Sequence, residues 1–94
     1  MRVVFRRAAR DDLWRLIDWL EQQSPAAARR ADAEIKAGLR SLADHPHSGM
    51  AVGPLWRERP VRFGAHGFIV RYLIATDRIE IVRVFHSAQD RSRG

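Results

Sequence analysis

Three arginines, Arg62, Arg71 and Arg83, and one histidine, His86, are the residues of this 94-residue sequence best suited to chemistry. Each arginine falls in its own β-favouring run: Trp56 to Phe63, Phe68 to Ala75 and Ile79 to His86. Arginine presents a planar fork of donors that matches carboxylate or phosphate. Imidazole takes up and releases a proton near neutrality. Arginines beside a histidine can therefore grip a phosphodiester and supply a general acid or base for RNA cleavage. Such cleavage also needs a group to accept the 2′-hydroxyl proton. The nearby carboxylates are Glu58, Glu80 and Asp90, and none has a spacing that makes it that base. Strand alternation places Arg83 with Ile81 on one face and His86 with Val84 on the other. A charge among apolar residues must be paired or solvated. Arg83 is thus expected either to pair with Glu58 or Glu80, or to face solvent, or to belong to an open sheet face that holds phosphate or an acidic peptide.

Other motifs offer less. His45 and His47 flank Pro46 in a loop; two histidines at that spacing lack an evident third ligand, so no metal is expected. There is no glycine-rich phosphate loop, and no cofactor is expected. Trp56, Phe63, Phe68, Tyr72 and Phe85 are able to stack on bases, although core packing or groove lining is the expected role for most. Trp14, Trp19, Trp56 and Phe85 are more large aromatics than so small a core readily hides. Together with Arg71 they are candidates for a groove that receives an amphipathic helix or an added strand from a partner.

The elements that must position these residues follow from hydrophobic spacing. Arg2 to Phe5 reads as a short strand. Ala9, Leu13, Leu16, Ile17 and Leu20 recur at helical intervals, with Asp11 and Asp12 near the start, where carboxylates suit the helix dipole. Ser24-Pro25 caps and opens a second helix, whose stripe is Ala28, Ala31, Ile35, Leu39 and Leu42. So short a link predicts a helical hairpin over about 8–43, and Gly38 in mid-helix points to close packing there. A loop over 44–54 follows, then a β-meander over about 55–86 with Pro60 marking an edge or bulged strand, and a polar tail over 87–94. The order β-α-α-β-β-β predicts a single α+β domain of two layers, the hairpin packed on a small antiparallel sheet.

Composition narrows the partners. The formal net charge is +6, and of 17 basic residues all but Lys36 are arginine. The first 47 residues hold nine basic and seven acidic groups, the remainder eight and four, so the second half is the more cationic. Nucleic acid, an acidic protein or a nucleoprotein machine are compatible partners. The absence of cysteine excludes a disulfide framework and a Cys-based zinc site. No apolar run reaches the ~20 residues of a membrane span, and the N-terminal residues do not read as a secretory signal; a cytoplasmic location is expected.

Taken together, Ala9…Asp12-Leu13…Ile17, Pro25…Ala28…Ile35…Leu39…Leu42…Pro46-His-Ser-Gly49, Arg62, Phe68-Ile-Val-Arg-Tyr72 and Ile79-Glu-Ile-Val-Arg-Val-Phe-His86 resemble the RelE/ParE superfamily of bacterial type II toxins over residues 3–91. The resemblance implies the fold just described. It also implies a cognate antitoxin, encoded beside the toxin, that neutralises it and represses the shared operon through a DNA-binding part; the charge of +6 points to an acidic antitoxin. Two activities occur in the superfamily: RelE-like members cleave messenger RNA on the ribosome, and ParE-like members inhibit DNA gyrase. Arg62, Arg83 and His86 match a nuclease surface only in part, because lysines, an acid–base partner and a catalytic tyrosine in the tail are missing. The ParE-like branch, a gyrase inhibitor associated with plasmid stabilization, is therefore expected, with the ribosome-dependent endoribonuclease as the alternative.

Overall fold

The computed structural model describes residues 1–63 and 66–87 of the chain. A turn is expected from the sequence over Gly64-Ala65-His66-Gly67, but His66 and Gly67 already belong to the strand His66–Ile74; Gly64 and Ala65, the tail beyond residue 87 including Asp90, and the side chains of Phe63 and His66 lie outside that description.

The first strand, β1, spans Arg2–Phe5 and leads directly into helix α1, Arg7–Gln23. Ser24 alone separates α1 from α2, Pro25–Asp44. Its backbone N–H closes α1 by donating to Leu20 O at 2.7 Å, and its hydroxyl caps α2 by accepting from Ala27 N at 3.2 Å, with Pro25 at the first helical position. One residue thus ends one helix and starts the next, and the pair packs as the expected hairpin. The stripes of both helices supply Ala9, Leu20, Ala28, Ala31, Ile35 and Leu42 to the core. Gly38 sits against β3: a Cβ there would lie 2.9 Å from Val61 Cγ2, so the glycine is what lets α2 approach the sheet.

A 3-10 turn at Pro46–Ser48 carries the chain into β2, Met50–Ala51, then β3, Arg57–Phe63, β4, His66–Ile74, and β5, Arg78–His86. The sheet order is β1-β5-β4-β3-β2. The meander is antiparallel as expected, but β1 joins β5 as a parallel neighbour, and β2 is an additional two-residue strand inside the predicted loop. The sheet is therefore mixed. Phe68, Val70, Tyr72, Ile79, Ile81 and Val84 face the helices and complete the core. Buried Tyr72 also fixes the Pro46–Gly49 turn. Its hydroxyl donates to Pro46 O at 2.7 Å and accepts from Gly49 N at 2.9 Å. A Cβ on Gly49 would fall 2.5 Å from that hydroxyl oxygen, which explains why the turn ends in glycine.

Candidate functional site

The site begins where β1 stops. After Phe5 the chain turns into α1, and Arg6 N makes a last ladder bond to Ile81 O at 3.0 Å. Beyond that point the edge of β5 would present unpaired N–H groups, which are costly when buried. Asp12, on the second turn of α1, closes it. Its Oδ2 accepts from the Val84 backbone N–H at 3.0 Å and from Arg83 Nε at 2.7 Å, while Oδ1 accepts from the other arm of the Arg83 fork at 2.9 Å. Arg15 adds a contact to Oδ1 at 3.1 Å. Asp12 is only 6% exposed. Burial pushes its carboxyl up, but the hydrogen bonds from Arg83 and Val84 and the charges of Arg83 and Arg15 outweigh it and hold the group below the usual carboxylate range. Arg83 is correspondingly held in its charged form by the Asp12 hydrogen bond.

This corrects three expectations. Arg83 pairs with Asp12 on the helix layer, not with Glu58 or Glu80. Asp12 serves the sheet edge rather than the helix dipole: α1 starts at Arg7 and its first turn holds no acidic residue. And Arg83 does not share a face with Ile81. A β-bulge shifts the register so that Tyr72 opposes Ile81 while Arg71 opposes Arg83, with Val82 left over. Ile81 therefore points to the helices and Arg83 to the opposite, outer face.

On that outer face charges alternate with an aromatic ring. The Arg71 fork donates twice to Glu58 Oε2, at 3.0 and 2.9 Å, and Glu58 is itself buried. The guanidinium carbons of Arg71 and Arg83 lie 5.0 and 5.7 Å from the centroid of Phe85, within cation–π range. Phe85 is 2% exposed. It is a buried spacer between two cations, and the expectation that it lines a partner's groove is overturned by that burial. Arg71 is tied into the same array. Glu80 is engaged elsewhere, by Arg6 at 2.9 Å and Arg78 at 2.7 Å.

The sequence-predicted trio is not brought together. Arg62 is exposed on β3, opposite Gly67. Arg83 lies two strands away and further along the sheet, so at roughly 4.8 Å per strand and 3.4 Å per residue their backbones are on the order of 15 Å apart. His86 is opposite Phe68 on the helix side, where its ring meets Trp19 edge-on at 6.5 Å between centroids. Among the described residues no group of three or more His, Asp or Glu side chains could hold a metal ion, and no helix is long and apolar enough to cross a membrane.

The helical hairpin offers a different surface. Trp14 is 70% and Trp19 50% exposed. Trp14 borders a groove of about 580 Å³ with Leu13 and Ile17 at its floor and Asp18, Glu21 and Asp32 around it. Trp56 is half-buried beside the exposed Leu55 at the start of β3. Asp12 is the residue that sequence reasoning missed. The signal was present: position 12 lies on the apolar stripe, three residues after Ala9 and four before Leu16, where a carboxylate demands a buried partner.

Comparison with known proteins agrees with this architecture. A family model described as ParE toxin of type II toxin-antitoxin system, parDE, matches residues 3–91. The chain is 35% identical over 83 residues to Toxin RelE1 of Caulobacter vibrioides, covering 88% of this chain and 89% of that protein. It is 39% identical over 83 residues to Toxin RelE3 of the same organism, covering 88% and 90%. A solved chain of a chromosomal ParDE TA system from P. aeruginosa superposes with a TM-score of 0.71 at 20% identity, covering 92% of this chain and 95% of that one; at that identity the likeness concerns the fold.

Proposed function

The chain belongs to the ParE toxin family of type II toxin-antitoxin systems, and on that premise we propose that it arrests growth by binding and inhibiting DNA gyrase, without cleaving RNA. One observation carries the reading: Arg83 is occupied by Asp12 while His86 faces the other side of the sheet. A ribonuclease needs a cation and a proton-transfer group converging on one phosphodiester, and these groups diverge. The antitoxin, which membership of a type II system implies, would neutralise the toxin by covering the hairpin, with Trp14 and Trp19 as apolar anchors of the kind that dominate protein interfaces.

A supercoiling assay tests the reading. Purified toxin should inhibit gyrase at micromolar concentration, and unimpaired supercoiling would count decisively against it. The second reading, ribosome-dependent messenger cleavage, is favoured by the RelE names of the Caulobacter relatives. It requires Arg62, Arg83 or His86 to be essential. Intact messenger RNA and continued translation during growth arrest would exclude it.

A further inference from the structure

The two edge strands of the sheet differ in charge. β1 is bracketed by Arg2 and Arg6 and lies beside Lys36 and Arg40, so two copies meeting there would set cation against cation. β2 lies instead in the longest stretch of the chain without an ionised side chain, the twelve residues from His45 to Trp56. In a protein of formal net charge +6, this is where a second copy can approach without like-charge contact. The stretch is also apolar at its surface. Met50 is 73%, Val52 40% and Leu55 68% exposed, and strand alternation puts Met50 and Val52 on the same face. Neither residue of β2 is a charge or a proline, the devices that protect sheet edges.

The backbone of β2 is placed to pair. Met50 lies opposite Glu58 and Ala51 opposite Arg57, and Val52 N continues the ladder by donating to Trp56 O at 3.1 Å. Bonded and non-bonded pairs alternate along an antiparallel ladder, so the N–H and C=O of Ala51 turn away from β3, into the open edge. The strand is also held firmly at its start. Tyr72 Oη accepts from Gly49 N at 2.9 Å, and Arg57 Nη1 donates to Gly49 O at 2.7 Å. Side chains thus fix both backbone groups of the residue before β2, which leaves little ordering to be done on association.

We propose that two copies of the chain pair through β2, antiparallel about a twofold axis at Ala51, into a symmetric dimer with one continuous sheet. Each Ala51 N–H donates to the Ala51 C=O of the other copy, and each Met50 lies across from the other copy's Val52, with Leu55 alongside. A two-residue strand and three side chains make a small contact. The dimer therefore belongs with transient interfaces, below about 1,200 Å² in total, and forms in a concentration-dependent way. Helix α1 packs on β5, three strands from β2, so both copies keep Trp14 and Trp19 clear of the junction. The inference depends neither on the poisoned target nor on where the antitoxin binds.

Sedimentation velocity on the full chain tests it. Between about 1 and about 500 μM the mass should rise from that of one chain toward twice that value. Met50→Arg puts a cation into the junction at a side chain that is already exposed, and should raise the dimer dissociation constant about tenfold or more. Because the chain has no cysteine, single-cysteine variants report the pairing directly. Two Ala51→Cys chains would have Cα atoms about 5.5 Å apart, within disulfide range, and should cross-link on mild oxidation. Ala33→Cys, on the outward face of α2, should not. A chain that stays monomeric throughout the range would overturn the proposal. So would a dimer that Met50→Arg leaves unchanged, or one in which Ala51→Cys cross-links no better than Ala33→Cys.

Discussion

The outer face of the sheet and the outward face of α1 use their side chains in opposite ways. On the sheet, the groups with the most chemical potential are consumed by the fold: Asp12 holds Arg83, Glu58 holds Arg71, and Phe85 is enclosed between the two cations. On α1, Trp14 and Trp19 carry large apolar surface into solvent. Charged side chains that satisfy one another are unavailable to a ligand unless the fold is disturbed, because separating a buried pair leaves an uncompensated charge. An exposed tryptophan is available at no such cost. In this small domain Arg71 and Arg83, which look catalytic, are held by the fold, whereas Trp14 and Trp19, which look structural, are exposed.

That contrast can be broken by substitution. Phe85→Ala should be the most damaging change, at about 3 to 4 kcal/mol, because it empties an enclosed aromatic site and removes the ring between two guanidinium groups. Asp12→Ala should cost about 3 kcal/mol, since it strips Arg83 of its partner and leaves the Val84 N–H unpaired. Both are read from urea unfolding at pH 7. If either variant unfolds within 1 kcal/mol of the parent, the array is not the structural element described here. Tyr72→Phe serves as a calibration from the opposite face. It should cost about 1 to 2 kcal/mol, because Gly49 N and Pro46 O both lose their partner.

Acid should reproduce the Asp12 effect in graded form. The folded-state pKa of Asp12 lies below its unfolded value of 3.8. Its contribution is therefore fully present well above pH 4 and is lost as pH falls through the lowered folded value. Stability measured from pH 7 to pH 2 should fall more steeply for the parent than for Asp12→Asn. Parallel curves below pH 4 would show that the carboxylate makes no pH-dependent contribution.

Much of the fold was legible because it is local. The helical spacings, Ser24-Pro25 between the helices and the short turn after Ile74 each specify structure within a few residues. The parallel pairing of β1 with β5 was not legible, since it joins segments more than 70 residues apart and nothing in Arg-Val-Val-Phe encodes direction. The bulge at Val82 was hidden for another reason. Ile79 to Phe85 is apolar on both faces for much of its length, so the period-two pattern that fixes register is weak, and an inserted residue leaves no mark. From that one residue follows the misplacement of Arg83 relative to Ile81. The Asp12–Arg83 pair was half legible: a carboxylate on the apolar stripe announces a buried partner, but only the folded sheet says which arginine it is.

The smallest stability effect is expected at the residue proposed to matter most for recognition. Trp14→Ala removes a side chain already 70% exposed, and surface truncations of this kind stay within about 0.5 kcal/mol. The same substitution should weaken antitoxin binding on the order of tenfold or more if Trp14 is a buried anchor of the complex. Phe85→Ala should show the reverse profile, with a large stability loss and no direct loss of contact area. Titration calorimetry with the antitoxin, set beside urea unfolding of the same two variants, separates these outcomes. Equal antitoxin affinity for Trp14→Ala and the parent would remove Trp14 from the interface.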